Sequence, residues 1–155
     1  MTRPLYRPEL CWTSLAVDDA DQVINVLASA LHQNGLVRAT FEAAVREREA
    51  SSPTGLPLAG RKVAIPHADP EHVIAPAVAA CTLSRPVRFG EMGNPESALS
   101  VDVVLMLALP DHESAQRELV RLVESCQEPD FVDRLHGAPD SRALYDLLAN
   151  TEQLP

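Results

Sequence analysis

The segment Val101-Asp102-Val103-Val104-Leu105-Met106-Leu107-Ala108-Leu109 constrains the fold most, being apolar at every position but one. A strand with one wet face alternates polar and apolar side chains, so an unbroken apolar run reads as a central strand covered on both faces. Such a strand needs a layer on each side, and the flanking sequence offers helices to build them. Asp18 or Asp19 can cap a helix over about 20–33, with Val23, Ile24, Leu27, Ala30 and Leu31 on one face and Gly35 as its stop. Thr40 can cap a second, from Phe41 to about Glu49, with Phe41, Ala44 and Val45 inward. Asp111 opens a third that runs to about Cys126, with Ala115, Leu119, Leu122, Val123 and Cys126 inward. A short helix is expected after Pro129 and a last one from about Ser141 to Ala149.

The remaining strand signals are Leu10–Leu15, Lys62–Ile65 halted by Pro66, Ala77–Leu83, and a shorter piece Val87–Phe89 after Pro86. Between the second helix and Lys62 lies a turn-rich segment, Ser51–Gly60, whose composition suits a surface loop. Strands interspersed with helices give an α/β sandwich with helices on both faces. With no internal repeat and no dividing linker, residues 1–155 read as one domain. A domain of this length buries about 68–70% of its unfolded surface, so no disulfide or metal is needed to hold it.

Composition narrows the function. The chain carries a net charge of −9, which argues against nucleic acid or an anionic membrane as partner, since both reward clustered Lys and Arg. No run approaches the roughly 18 apolar residues of a spanning helix, and no signal-peptide core follows Met1-Thr2-Arg3-Pro4. Cys11, Cys81 and Cys126 are far apart and lack C-x-x-C spacing, so they read as reduced core thiols in a cytoplasmic protein.

Two of the histidines stand in equivalent places: His67 follows the strand ending at Ile65, and His112 follows the strand ending at Leu109. Sites in open α/β sheets gather beyond the carboxyl ends of strands, so parallel neighbours would bring both imidazoles to one edge. Pro66 biases Ile65 to be extended and sets the direction in which His67 leaves. His112 falls in the first turn of its helix, where free backbone N–H groups favour an anion. Together these suggest a phosphate pocket; the alternative for each is a structural or solvated histidine. His32 reads as a partner of its helix dipole, and His72 and His136 as surface residues. His67, Asp69 and His72 could in principle ligate a metal, but their spacing matches no ligand pattern and Pro70 interferes, so neither metal nor cofactor is expected. No G-x-S-x-G, G-x-G-x-x-G or P-loop occurs.

Arg48-Glu49, Pro53-Thr54-Gly55-Leu56 and Val63-Ala64-Ile65-Pro66-His67 resemble the signature of fructose/mannitol-type enzyme IIA domains of the bacterial sugar phosphotransferase system (PTS). Glu71–Ala77, Pro86-Val87-Arg88-Phe89 and Met92-Gly93 bring the chain nearest the galactitol-type members, and the resemblance covers about residues 10–150. It implies a mixed, mostly parallel sheet and a phosphocarrier with a phosphohistidine intermediate. The carrier protein HPr would give a phosphoryl group to His67, which would pass it to a cysteine of enzyme IIB, serving the membrane subunit IIC. The second pocket histidine of the family falls on His112, its arginine on Arg48, and Thr54 lies in the motif loop. Ala68 stands where many relatives have Gly, and Pro57–Arg61 is longer than in mannitol-type domains. An apolar docking rim is expected among Ile65, Leu56, Val73 and Leu58, with core positions as the alternative. The rival function is a regulatory phosphohistidine domain of the nitrogen-related type.

Overall fold

A computed structural model describes residues 4–128 and 130–152; Pro129 and the first three residues, on which two of the expectations above rest, lie outside them. The sheet has four strands: β1 (Cys11–Leu15), β2 (Val63–Ala64), β3 (Ala77–Glu91) and β4 (Asn94–Ala108), in spatial order β1-β3-β4-β2. The β1/β3 and β4/β2 pairings are parallel, and the long central pairing of β3 with β4 is antiparallel. Among the described residues five helices cover it: α1 (Ala20–Gln33), α2 (Phe41–Ser51), α3 (His112–Cys126), α4 (Phe131–His136) and α5 (Ser141–Glu152).

The apolar run of β4 is buried on both faces, and the two-residue period of a strand sorts it into two cores. Val104, Met106 and Ala108, with Ala77, Ala79 and Cys81 of β3, meet Ile24, Leu27 and Leu31 of α1 and Phe41 and Val45 of α2. Val103, Leu105 and Leu107, with Val78 and Ala80, meet Leu122 of α3, Val132 and Leu135 of α4, and Leu144 and Leu148 of α5. A buried polar cluster fastens the second layer: Tyr6 Oη donates to Glu118 Oε2 at 2.5 Å, Arg121 pairs with the same carboxylate at 2.8 Å, and Arg121 also reaches the Thr151 carbonyl.

Asp19 caps α1 through the Gln22 N–H, Asp111 caps α3 through the Ser114 N–H, and Gly35 follows α1 at φ +73°. Thr40 does not cap α2 with its side chain; its hydroxyl bonds instead to His72 Nδ1 at 2.8 Å. The two pieces expected at Ala77–Leu83 and Val87–Phe89 are one strand. Its register shifts between Thr82 and Val87, and that irregularity accommodates Pro86, which has no N–H to give a regular ladder.

The Ser51–Gly60 segment departs most from expectation, because Pro53, Thr54, Gly55 and Leu56 are buried. The long β3–β4 hairpin reaches over them: Gly55 N donates to Gly90 O at 2.9 Å, and Met92 N donates to Gly55 O at 2.8 Å. Contact this close requires that neither backbone carry a side chain at the crossing. A Cβ on Gly55 would stand 2.5 Å from the Gly90 carbonyl oxygen, and one on Gly90 would meet Pro53 Cβ at 2.7 Å. Gly55→Ala is therefore expected to lower stability by about 2 kcal/mol, in the range of overpacked cores. Gly60→Ala, with open space around its Cβ, should leave the urea midpoint within error of the parent.

Candidate functional site

The short strand β2 carries the chain to His67. Past Ala64 the ladder continues: Leu107 N donates to Pro66 O at 3.1 Å, and His67 itself pairs in parallel with Leu107. Pro66 thus ends the strand's donors without letting the chain leave the sheet edge. His67 keeps the alternation of Val63 and Ile65, on the α3 side, and lines one cavity with Leu119 of α3.

The imidazole is half-buried, and its Nδ1 lies 2.9 Å from the carbonyl oxygen of Ile65. A carbonyl only accepts, so Nδ1 carries the proton and Nε2 holds the free lone pair. Nε2 has no hydrogen-bond partner among the described residues. Burial is the main force holding the ring's pKa below the ordinary histidine value; the charge of Arg48 acts the same way, while the Ile65 carbonyl and Asp69 oppose it. A neutral, oriented imidazole is the form that can act as a nucleophile at neutral pH.

The cavity has a volume of about 410 Å³. Arg48, from the last turn of α2, and Thr54 line it together with His67, while Met92, Gly93 and Pro95 close it from the hairpin tip. Arg48 is exposed and pairs with Asp69 Oδ1 at 3.2 Å, not with the glutamates of its own helix. Thr54 is only 2% exposed. Its hydroxyl donates to Glu49 Oε1 at 2.9 Å and accepts from the N–H of Ile65 at 3.1 Å, and its own N–H donates to Glu49 Oε2 at 2.9 Å. The residue whose carbonyl orients His67 is thereby tied through Thr54 to α2, the helix that presents Arg48. Burial pushes the Glu49 carboxyl above its usual pKa, and the two bonds from Thr54 pull it back.

Sequence reasoning passed over Glu49 as a site residue because it stands in a run of charges at a helix end. Only the bond to a threonine five residues on distinguishes it. Pro95 and Leu119 were equally out of reach, for they arrive through hairpin and helix packing distant in sequence.

His112 is the first residue of α3, five positions beyond the Leu107 that pairs with His67, on the parallel neighbour of β2. It is exposed, and the cavity lining does not include it. At the helix terminus the Asp111 carboxylate takes the N–H and hydroxyl of Ser114 at 2.7 and 3.0 Å, which satisfies one of the terminal N–H donors and sets a negative charge beside the others. The expected docking rim also needs correction. Ile65, Leu56 and Val73 are buried in the two cores and only Leu58 is partly open; the exposed large apolar side chains are Ile74, Met92 and Val120.

His67, Asp69 and His72 are engaged separately, with the Ile65 carbonyl, Arg48 and Thr40 respectively. The described residues contain no group of three or more side chains arranged to hold a metal ion. Burial pushes the thiols of Cys11, Cys81 and Cys126 up to about 12, so none is a thiolate nucleophile at neutral pH. No helix among the described residues is long and apolar enough to cross a membrane.

A sheet-edge histidine with one nitrogen fixed by a carbonyl stands at one cavity with an arginine, and the comparisons give the class of protein that carries this arrangement. The family described as "Phosphoenolpyruvate-dependent sugar phosphotransferase system, EIIA 2" matches residues 5–151, and the chain belongs to it: it is an enzyme IIA component of the PTS, a phosphotransferase. The galactitol-specific EIIA component of Escherichia coli K12 is 26% identical over 124 residues, covering 80% of this chain and 82% of that protein. In fold, the chain matches the mannitol enzyme IIA solved in complex with phosphorylated enzyme IIB of Escherichia coli, with a TM-score of 0.74 and 22% identity over 92% of this chain and 95% of that one. It also matches the nitrogen regulatory protein IIA-Ntr of Neisseria meningitidis, with a TM-score of 0.70 and 16% identity over 93% of this chain and 96% of that one. These structures bear out the α/β sandwich with a mixed sheet and two helical layers.

Proposed function

We propose that this enzyme IIA accepts a phosphoryl group from phospho-HPr on Nε2 of His67 and donates it to a cysteine of a cognate enzyme IIB. The reading assigns it to uptake of a galactitol-like polyol. The observation that carries the proposal is the 2.9 Å contact between His67 Nδ1 and the Ile65 carbonyl, which leaves Nε2 as the only nucleophilic nitrogen of the ring. As Nε2 bonds phosphorus, the P–N bond in the donor phosphohistidine, whose other ring nitrogen carries a proton, breaks and its imidazole departs neutral. The positive charge formed on the His67 ring is shared by its two nitrogens and is stabilised by the hydrogen bond that Nδ1–H donates to the Ile65 carbonyl. Phosphoryl transfer asks a protein mainly for alignment and for charge stabilisation at the equatorial oxygens. Arg48, at the cavity wall, suits that second task because a guanidinium can donate to two oxygens at once.

Thr54 positions and Arg48 binds, while His112 receives a role in the onward step from the edge of the site. His112→Ala should still take up phosphate but pass it to enzyme IIB at least about tenfold more slowly, as for loss of one general acid or charge-stabilising group. Unchanged single-turnover transfer removes His112 from the mechanism. The 26% identity to a galactitol-specific component supports a transport role, and the exposed apolar side chain of Met92, at the cavity wall, suits a docking face there. The alternative, a regulatory phosphohistidine domain, draws only on the fold shared with the nitrogen regulatory protein. Incubation with phosphoenolpyruvate, enzyme I and HPr should add a single acid-labile phosphoryl group by intact mass. Discharge by a cognate enzyme IIB favours transport, and no discharge favours regulation.

A further inference from the structure

Arg48 stands on a wall between two cavities. One is the His67 cavity; the other, about 290 Å³, is lined by Glu47, Ser51, Ser52, Asp69 and His72 together with Arg48. The guanidinium is held from the second side, at 3.2 Å from Asp69 Oδ1. Asp69 comes two residues after His67, so the carboxylate and the phosphoryl acceptor flank the same cation from one short stretch of chain.

We propose that Asp69 is a resident counter-ion for Arg48, pairing with it while His67 is unmodified and yielding it to the phosphoryl group when His67 is charged. The inference rests on the phosphohistidine reading above and adds a residue that sets how firmly the group is held. Three observations support the exchange. The pair is open to water, with side chains 43% and 57% exposed, and an exposed ion pair is worth at most about fivefold in an equilibrium constant, so releasing it costs little. The competing ligand is stronger: a phosphoryl group brings close to two negative charges and three acceptor oxygens against one carboxylate.

The third observation is that the turn bearing Asp69 does not depend on the ion pair. Pro70 restricts Asp69 to its extended conformation, φ −62° and ψ 150°. The turn is pinned beyond it by Arg38 N–H on the His72 carbonyl at 2.8 Å, by Arg38 Nε on the Glu71 carbonyl at 3.1 Å, and by His72 Nδ1 on the Thr40 hydroxyl at 2.8 Å. Arg48 can therefore change partners while the carboxylate stays in place to take it back after transfer. Asp69 acts through Arg48, as a positioning residue that lowers the phosphoryl-holding strength of the site.

The test is a double-mutant cycle on the equilibrium of phosphoryl exchange with HPr, read by intact mass for the parent, Asp69→Asn, Arg48→Gln and the double variant. Asp69→Asn should shift the equilibrium toward the phosphorylated chain by about two- to fivefold, the worth of the exposed pair it removes. In the Arg48→Gln background the same substitution should shift it by less than about 1.5-fold, and Asp69→Glu should restore the parent value. An equal shift in both backgrounds would mean that Asp69 merely repels the phosphoryl group and overturns the exchange, as does no shift at all. A parent chain that takes up no phosphoryl group fails the phosphohistidine reading itself, and that failure shows before any variant is compared.

Discussion

His67→Ala should take up no phosphoryl group from phospho-HPr, whereas the parent takes up one that acid removes. The expectation is a complete loss, because among the described residues no other side chain joins a carbonyl-fixed Nδ1 to a place in the His67 cavity. His72 lies outside the His67 cavity, and its Nδ1 meets the Thr40 hydroxyl, which can donate as well as accept and so does not fix the tautomer, while His112 is exposed and outside the same cavity. The three thiols are buried and protonated at neutral pH. The substitution should leave the fold intact, since it removes one hydrogen bond to the Ile65 carbonyl, worth about 1 kcal/mol. His67→Gln separates orientation from nucleophilicity: its amide N–H₂ can donate toward the same carbonyl yet offers no nucleophilic nitrogen, and it should be equally inactive. Intact-mass measurement with circular dichroism of the variants decides the matter. A phosphorylated Ala variant would place the acceptor elsewhere and end the mechanism proposed above.

Thr54→Val is expected to have the largest effect on stability of any near-isosteric change at the site. The side chain keeps its volume, so the buried pocket remains filled. It loses the hydroxyl that donates to Glu49 Oε1 and accepts from Ile65 N–H. Ile65 is fully buried, and its N–H would be left without an acceptor, a penalty of about 1–3 kcal/mol. A partly buried carboxylate would lose one of its two donors from Thr54 at the same time, so the total should reach about 2–4 kcal/mol. Because Ile65 also supplies the carbonyl that fixes His67, phosphoryl uptake should slow on the order of tenfold, in keeping with the sensitivity of transfer to alignment. Thr54→Ser retains the hydroxyl and should recover most of the rate, although it gives up a buried methyl. Urea melts and rapid-quench uptake are the measurements. A Val variant within 0.5 kcal/mol of the parent would show that water satisfies Ile65 and that Thr54 is not the link between α2 and the acceptor.

The family of the chain and the histidine proposed as acceptor were both legible in a short stretch of sequence. Val63-Ala64-Ile65-Pro66-His67 is a local signal, since a strand, a proline that ends its donors and a histidine at the exit need no distant partner to be read. The same holds for the apolar run in β4 and for the Asp19 and Asp111 caps, which rest on spacing within a few residues. Arg48 and Thr54 were placed by resemblance, and both line the cavity with His67.

Residues and their spacing thus determined a two-faced α/β sheet, its covering helices and a strand-end histidine, because alternation, capping and proline geometry are local. Tertiary packing alone decided what surrounds that histidine. A 15-residue strand on each side of a tight turn brings Met92 and Pro95 over a loop that composition assigns to the surface. Leu56 and Ile65 pack into the core on the α3 side of the sheet and Val73 into the one on the α1 side, so the core alternative holds for all three. The pairing of Arg48 with Asp69, rather than with neighbouring charges, followed from how α2 lies against the chain beyond β2. Which polar groups meet depends on distances between elements far apart in sequence, and no periodicity within one element carries that information.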